Sequence, residues 1–122
     1  MPDYPRRRRP EDFLPLSVPV FQILLSVSDM DLHGYAIIQD IARRTDHEVA
    51  LTASTLYAAI KRLLDERLIE ELETRPDTAA DDPRRRYYRI TPAGLEVARL
   101  EAARLERAVR MARQKKLTPR RA

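Results

Sequence analysis

Apolar positions along this chain recur first at helical spacing, then at strand spacing, then at helical spacing again, and that order of periods predicts the architecture. Val20, Phe21, Leu24 and Leu25 form a stripe on a first helix that Ser17 can cap and Pro19 can open, running to Ser26 or Val27. Ser28 to Asp31 reads as a turn. Gly34 to Arg44 fits a second helix, with Tyr35, Ile38, Ile41 and Ala42 inward and Arg43 and Arg44 in the last turn, where the helix dipole favours cations. A third helix follows Thr52, a suitable cap, and lines up Leu56, Ile60, Leu63 and Leu64 on one side.

The period then shortens to two. Leu68 to Thr74 and Arg85 to Thr91 alternate as strands on either side of Pro76 to Arg84, which predicts a hairpin with a long loop. Tyr88 and Ile90 share one face, leaving Arg85, Tyr87 and Arg89 on the other. Thr91-Pro92 opens a long helix as cap and first-turn proline, and along it Leu95, Ala98, Ala102, Leu105, Val109 and Ala112 recur at alternating spacings of 3 and 4. So small a body cannot bury a seam of that length, so a second copy of the chain is the expected partner. The fold class is mainly α with a small β-hairpin: a winged helix-turn-helix plus a long C-terminal dimerisation helix. The expected boundaries are a flexible basic arm at 1–13, the winged domain at 14–91, the dimerisation helix at 92–114 and a basic disordered tail at 115–122.

The third helix carries most of the functional content. Away from its apolar stripe it presents Ser54, Thr55, Ala58, Lys61 and Arg62, with Tyr57 on the flank. That face is small at its start and basic further along, which suits close approach to a DNA groove followed by contacts to base edges or phosphates. A plain solvated helix, with Lys61 paired to Asp65 and Arg62 to Glu66 at i,i+4 spacing, is the competing reading. Three short helices followed by a hairpin favour the first, with Arg84, Arg85 and Arg86 as the wing's candidate contacts to double-stranded DNA.

Charge adds less than its total suggests. The 122 residues carry a net +4, yet the first ten hold +3 and the last ten +5, so the stretch between carries −4. Two basic tails flank an acidic body, and only local clusters can argue for nucleic acid. The length supports one domain with appendages. Cysteine is absent, and no apolar run approaches the roughly 20 residues of a membrane span, so a cytoplasmic protein without membrane attachment is expected.

Enzyme chemistry finds no support. His33 and His47 are the only histidines, in no spacing that makes a metal site or a nucleophile–base pair, and two glycines cannot build a phosphate-cradling loop. No catalytic residue, metal or cofactor is expected, and His33 reads as structural where the second helix begins. A winged module that binds protein or RNA is the alternative function, but it would want aromatic anchors on the outer face, where only Tyr57 qualifies, or exposed stacking rings, where only Tyr87 does.

Three stretches, His33-Gly34-Tyr35-Ala36-Ile37, Ser54 to Leu63 and Arg85 to Gly94, together resemble the PadR-type transcriptional regulators in order and spacing. The resemblance covers about Leu14 to Lys116. It implies a homodimeric winged-helix repressor whose third helix enters the major groove, whose wing reaches the flanking backbone and whose last helix dimerises, with a small-molecule effector as a further partner. Where such proteins carry glycine before Thr-Leu-Tyr and at the end of the recognition helix, this chain has Ser54 and Arg67. A left-handed Arg67 would cost on the order of 1 kcal/mol. Asp77, Asp81 and Asp82 at the expected wing tip would oppose phosphate.

Overall fold

The computed structural model describes residues 8–72 and 85–118. Its helices are α1 (Val18–Ser26), α2 (Gly34–Arg44), α3 (Ala53–Asp65) and α4 (Pro92–Gln114), and its strands are β1 (Leu32–His33), β2 (Ile69–Leu72) and β3 (Tyr87–Ile90). The strands form an antiparallel sheet in the order β1-β3-β2, with Leu32 opposite Tyr88, Ile69 opposite Ile90 and Leu72 opposite Tyr87. This is a winged helix-turn-helix with an appended long helix.

Hydroxyl caps start three of the helices. Ser17 Oγ accepts from Val20 N at 3.3 Å, Thr52 Oγ1 from Thr55 N at 3.1 Å and Thr91 Oγ1 from Gly94 N at 3.0 Å. At α2 the acceptor is His33 Nδ1, 3.2 Å from Ala36 N. The ends of α2, α3 and α4 repeat one closing turn, in which His47 N returns to Ala42 O, Leu68 N to Leu63 O and Leu117 N to Ala112 O. That turn needs a left-handed residue, and here it is Asp46 (φ 52°), Arg67 (φ 61°) and Lys116 (φ 59°). The strain anticipated at Arg67 is therefore present.

Ile23 and Leu24 of α1, Ile37 and Ile41 of α2, and Leu56 and Leu63 of α3 are all but fully buried in one core, closed by Leu68, Ile69 and Val97. Three orientations differ from the sequence reading. On α1 the buried apolar side chains are Val20, Ile23 and Leu24, whereas Phe21 and Leu25, expected in the core stripe, are only partly covered. Tyr35, expected inward, is 61% exposed, and the inward line of α2 is Gly34, Ile37 and Ile41: Ile37 and Ile41 fill the core, and Gly34 lies against the Tyr57 ring of α3. Tyr87, expected on the solvent face, is buried beside Tyr88: β1 pairs with β3 there, and the His33 ring meets Tyr87 edge-on at 5.2 Å. The strand β1 follows directly on the expected turn, and its two residues carry no readable alternation.

Polar clamps fix the helices to each other. Asp40 of α2 accepts from Arg43, Arg44 and the buried Ser26 of α1, at 2.7, 2.8 and 2.7 Å. Burial pushes its carboxyl upward, but the hydrogen bonds from Arg44 and Ser26 and the arginine charges outweigh it, so Asp40 titrates below its ordinary range. Pro10–Phe13, within the segment expected as an arm, form a 3-10 turn that lies against α4. Glu101 of α4, 1% exposed, accepts from Leu16 N at 2.9 Å and from two nitrogens of Arg104. The Arg104 hydrogen bond, with help from Leu16, holds this carboxyl below its usual range against the opposing effect of burial.

Candidate nucleic-acid interface

Helix α3 is divided sharply between its two sides. Leu56, Ile60 and Leu63 are in the core, while Ser54, Thr55, Ala58, Lys61 and Arg62 face solvent. Tyr57 is half exposed, its ring resting on Gly34, where any Cβ would come within 2.3 Å of the phenol oxygen. A side chain at position 34 would therefore displace Tyr57. Position 34 and position 57 together set how α2 meets α3.

Both i,i+4 pairs foreseen by the competing reading are also present. Lys61 Nζ lies 3.4 Å from Asp65 and Arg62 Nε 3.4 Å from Glu66, and Glu66 is further held by Arg8 at 2.8 Å. The outward face is thus exposed, basic and internally ion-paired at once. At the hairpin Arg85 and Arg86 are exposed, with Arg86 Nη1 3.0 Å from Glu71 across the sheet. Arg89 makes a two-pronged bond to Asp31, at 3.0 and 2.8 Å, and so ties β3 to the segment before β1. The loop Pro76 to Arg84, with Asp77, Asp81 and Asp82, and, from the arginine run Arg6 to Arg9 of the arm, Arg6 and Arg7 lie outside the described residues. Glu66 and Glu71 belong to this surface and had no signal of their own beyond the i,i+4 pairing of Arg62, while Arg8, expected as part of a flexible basic arm, is instead paired with Glu66.

The seam read along α4 divides in two. Ala98 is 7% exposed and packs in the chain's own core, so that position of the expected seam is filled from within, and the inward line of the first turns is Gly94, Val97, Ala98 and Glu101. Leu95 is partly covered. Beyond Glu101 the apolar side chains emerge: Ala102 is exposed, Leu105 and Val109 are 38% and 42% exposed, and Ala112 is half-buried. Met111 is more exposed still. Among the described residues no His, Asp and Glu side chains gather in threes where a metal ion could be held, and no helix is long and apolar enough to cross a membrane.

A sequence model of the transcriptional regulator PadR-like family matches residues 23–100. The chain belongs to this family. A transcriptional regulator from Clostridium thermocellum has a similar structure, with a TM-score of 0.67 and 27% identity over 79% of this chain and 87% of that one. Bacillus subtilis PadR, solved in complex with operator DNA, is 25% identical with a TM-score of 0.53, over 66% of this chain and 44% of that one. An uncharacterized protein from Lysinibacillus sphaericus is 36% identical over 72 residues, 59% of this chain. The match spans 63% of that relative, less than two thirds of its length. In this PadR-like chain the three sequence motifs acquire physical roles: Gly34 admits Tyr57, α3 carries the exposed basic face, and Gly94 lets α4 approach the carbonyl of Leu68.

Proposed function

We propose that this chain is a homodimeric transcriptional repressor that binds a near-palindromic duplex operator by laying α3 of each copy in the major groove. The observation that carries the reading is α3 itself, buried along one side and, on the other, small near its N-terminus and basic further on. Ser54, Thr55 and Ala58 allow close approach to base edges, and Lys61 and Arg62 then reach guanine edges or phosphates. Arg84, Arg85 and Arg86 serve the flanking backbone. The B. subtilis relative was solved in complex with operator DNA, which supports duplex DNA as the partner.

Dimerisation through α4 belongs to the same reading. Leu105 and Val109 stand partly in water beyond the last buried position, and a two-fold pairing of helices with Ala102 and Ala112 would cover them. Half-sites about one helical turn apart, roughly 10 base pairs, follow from such a dimer.

Fluorescence anisotropy with duplex DNA across a salt series tests the proposal. Replacing Lys61 and Arg62 together by Ala should weaken binding, and the salt slope should fall by about 0.9 for every phosphate that is no longer neutralised. Unchanged affinity and slope would remove α3 as the reader and turn the reading toward a winged module that docks on protein or RNA.

A further inference from the structure

Glu66 sits at the end of α3 and holds two cations at once. Its Oε2 takes Arg8 Nη1 at 2.8 Å, and its Oε1 lies 3.4 Å from Arg62 Nε. Arg8 reaches it from 58 residues away in sequence, lies 4.1 Å over the Phe13 ring and donates to the Asp12 carbonyl at 3.2 Å. Beyond the weak, exposed i,i+4 pair with Arg62, helix stability gives no reason for an acid here. The C-terminal end of a helix carries the negative pole of its dipole and favours cations. Nor does the carboxylate close the turn, since Arg67 N to Leu64 O and Leu68 N to Leu63 O already do so.

The two arginines are not equivalent. The contact with Arg8 is a short charge-assisted hydrogen bond braced by an aromatic ring, whereas the contact with Arg62 is longer than a good hydrogen bond and lies on the exposed reading face. Arg62 is the partner that can leave. We infer that Glu66 is a positioning residue for DNA binding and that Arg8 is its counter-charge, neutralising Glu66 so that Arg62 is free to move to a phosphate. The inference rests on α3 being the reading helix. Without Arg8 the carboxylate would keep Arg62 on the protein and set an uncompensated negative charge beside the DNA backbone. The basic N-terminal segment thereby acts on binding through one carboxylate rather than only by its own attraction to phosphate.

A double-mutant cycle tests this on the full chain, using a labelled duplex enriched by the protein from a random pool. Arg8→Ala should weaken binding roughly two- to fivefold at low salt, and Glu66→Gln should strengthen it by a similar factor. In the Glu66→Gln background, Arg8→Ala should change nothing. Equal weakening by Arg8→Ala in both backgrounds would mean that Arg8 touches DNA itself, and no weakening in either would leave the pair purely structural; each result overturns the inference. The Lys61→Ala, Arg62→Ala protein, measured alongside, reports separately on α3: if it binds as tightly as wild type, the functional reading has failed rather than the coupling. Urea unfolding of all the variants establishes that affinities are compared between folded proteins.

Discussion

Replacing Gly94 by Ala should damage the fold at the point where the wing meets the last helix. A Cβ built there lies 2.0 Å from the carbonyl oxygen of Leu68 and 2.9 Å from Ile90 Cγ1, where ordinary contact begins near 3.4 Å. The obstacle is backbone, so it cannot rotate aside. The same carbonyl accepts from Thr91 N at 3.1 Å, and Thr91 in turn donates its hydroxyl to Arg67 O at 2.8 Å and caps α4 through Gly94 N. Forcing the carbonyl away therefore strains the junction of α3, β2, β3 and α4 together. Overpacking costs about 1–3 kcal/mol and a buried hydrogen bond left unmade about 1–3 kcal/mol. Ala recovers about 0.5–1 kcal/mol over Gly inside a helix, so the net loss should be about 2–4 kcal/mol. Urea unfolding followed by circular dichroism measures it. Gly34→Ala is the control, because there the nearest atoms are the far end of the Tyr57 side chain, which can swing out, and the loss should stay under about 1 kcal/mol. The reasoning fails if Gly94→Ala unfolds within about 0.5 kcal/mol of wild type, or if the two alanines cost the same.

Three further outcomes follow from the same geometry. Arg67→Gly should stabilise the protein by about 0.5–1 kcal/mol, since relief of the left-handed strain at φ 61° exceeds the added freedom of the unfolded chain, and thermal unfolding would show a raised midpoint. Glu101 and Asp40 both have folded-state pKa values below their ordinary 4.5 and 3.8, so their contribution is complete above those values and is lost as pH falls through the lower folded ones. Stability should therefore decline steeply below about pH 4.5, and Glu101→Gln should cost about 1–3 kcal/mol at neutral pH while flattening that acid limb. Leu105→Glu should convert a dimer to a monomer in light scattering, because it places a charge on the apolar line of α4, whereas Glu106→Ala should leave the mass unchanged.

Much of the fold was legible because its signals are local. Ser17, Thr52 and Thr91 each precede an apolar helical run, and a hydroxyl in that place has one structural use. The buried side of α3 was readable because Leu56, Ile60 and Leu63, spread over two turns, line one side of the helix. What escaped was set by contacts distant in sequence. The rotation of α2 shows only once its neighbours are in place, with Ile37 and Ile41 in the core and Gly34 against Tyr57, 23 positions away, so the period alone put Tyr35 inside. Along α4 two lines share Ala98: the inner one contains the charged Glu101, which looks like solvent until Leu16 and Arg104 are seen bonded to it, and the outer one continues through Leu105 and Val109. The strand β1 has only two residues, too few to show any alternation, and the tie between Arg8 and Glu66 has no local pattern at all.

Selection of bound duplexes from a random pool by the full-length protein tests the central claim most directly. A dimer reading DNA through paired α3 helices should enrich an inverted repeat with half-sites centred roughly 10 base pairs apart, and the Lys61→Ala, Arg62→Ala protein should lose that enrichment. A pool that stays random, or a preferred sequence without two-fold symmetry that survives the double substitution, would contradict the account.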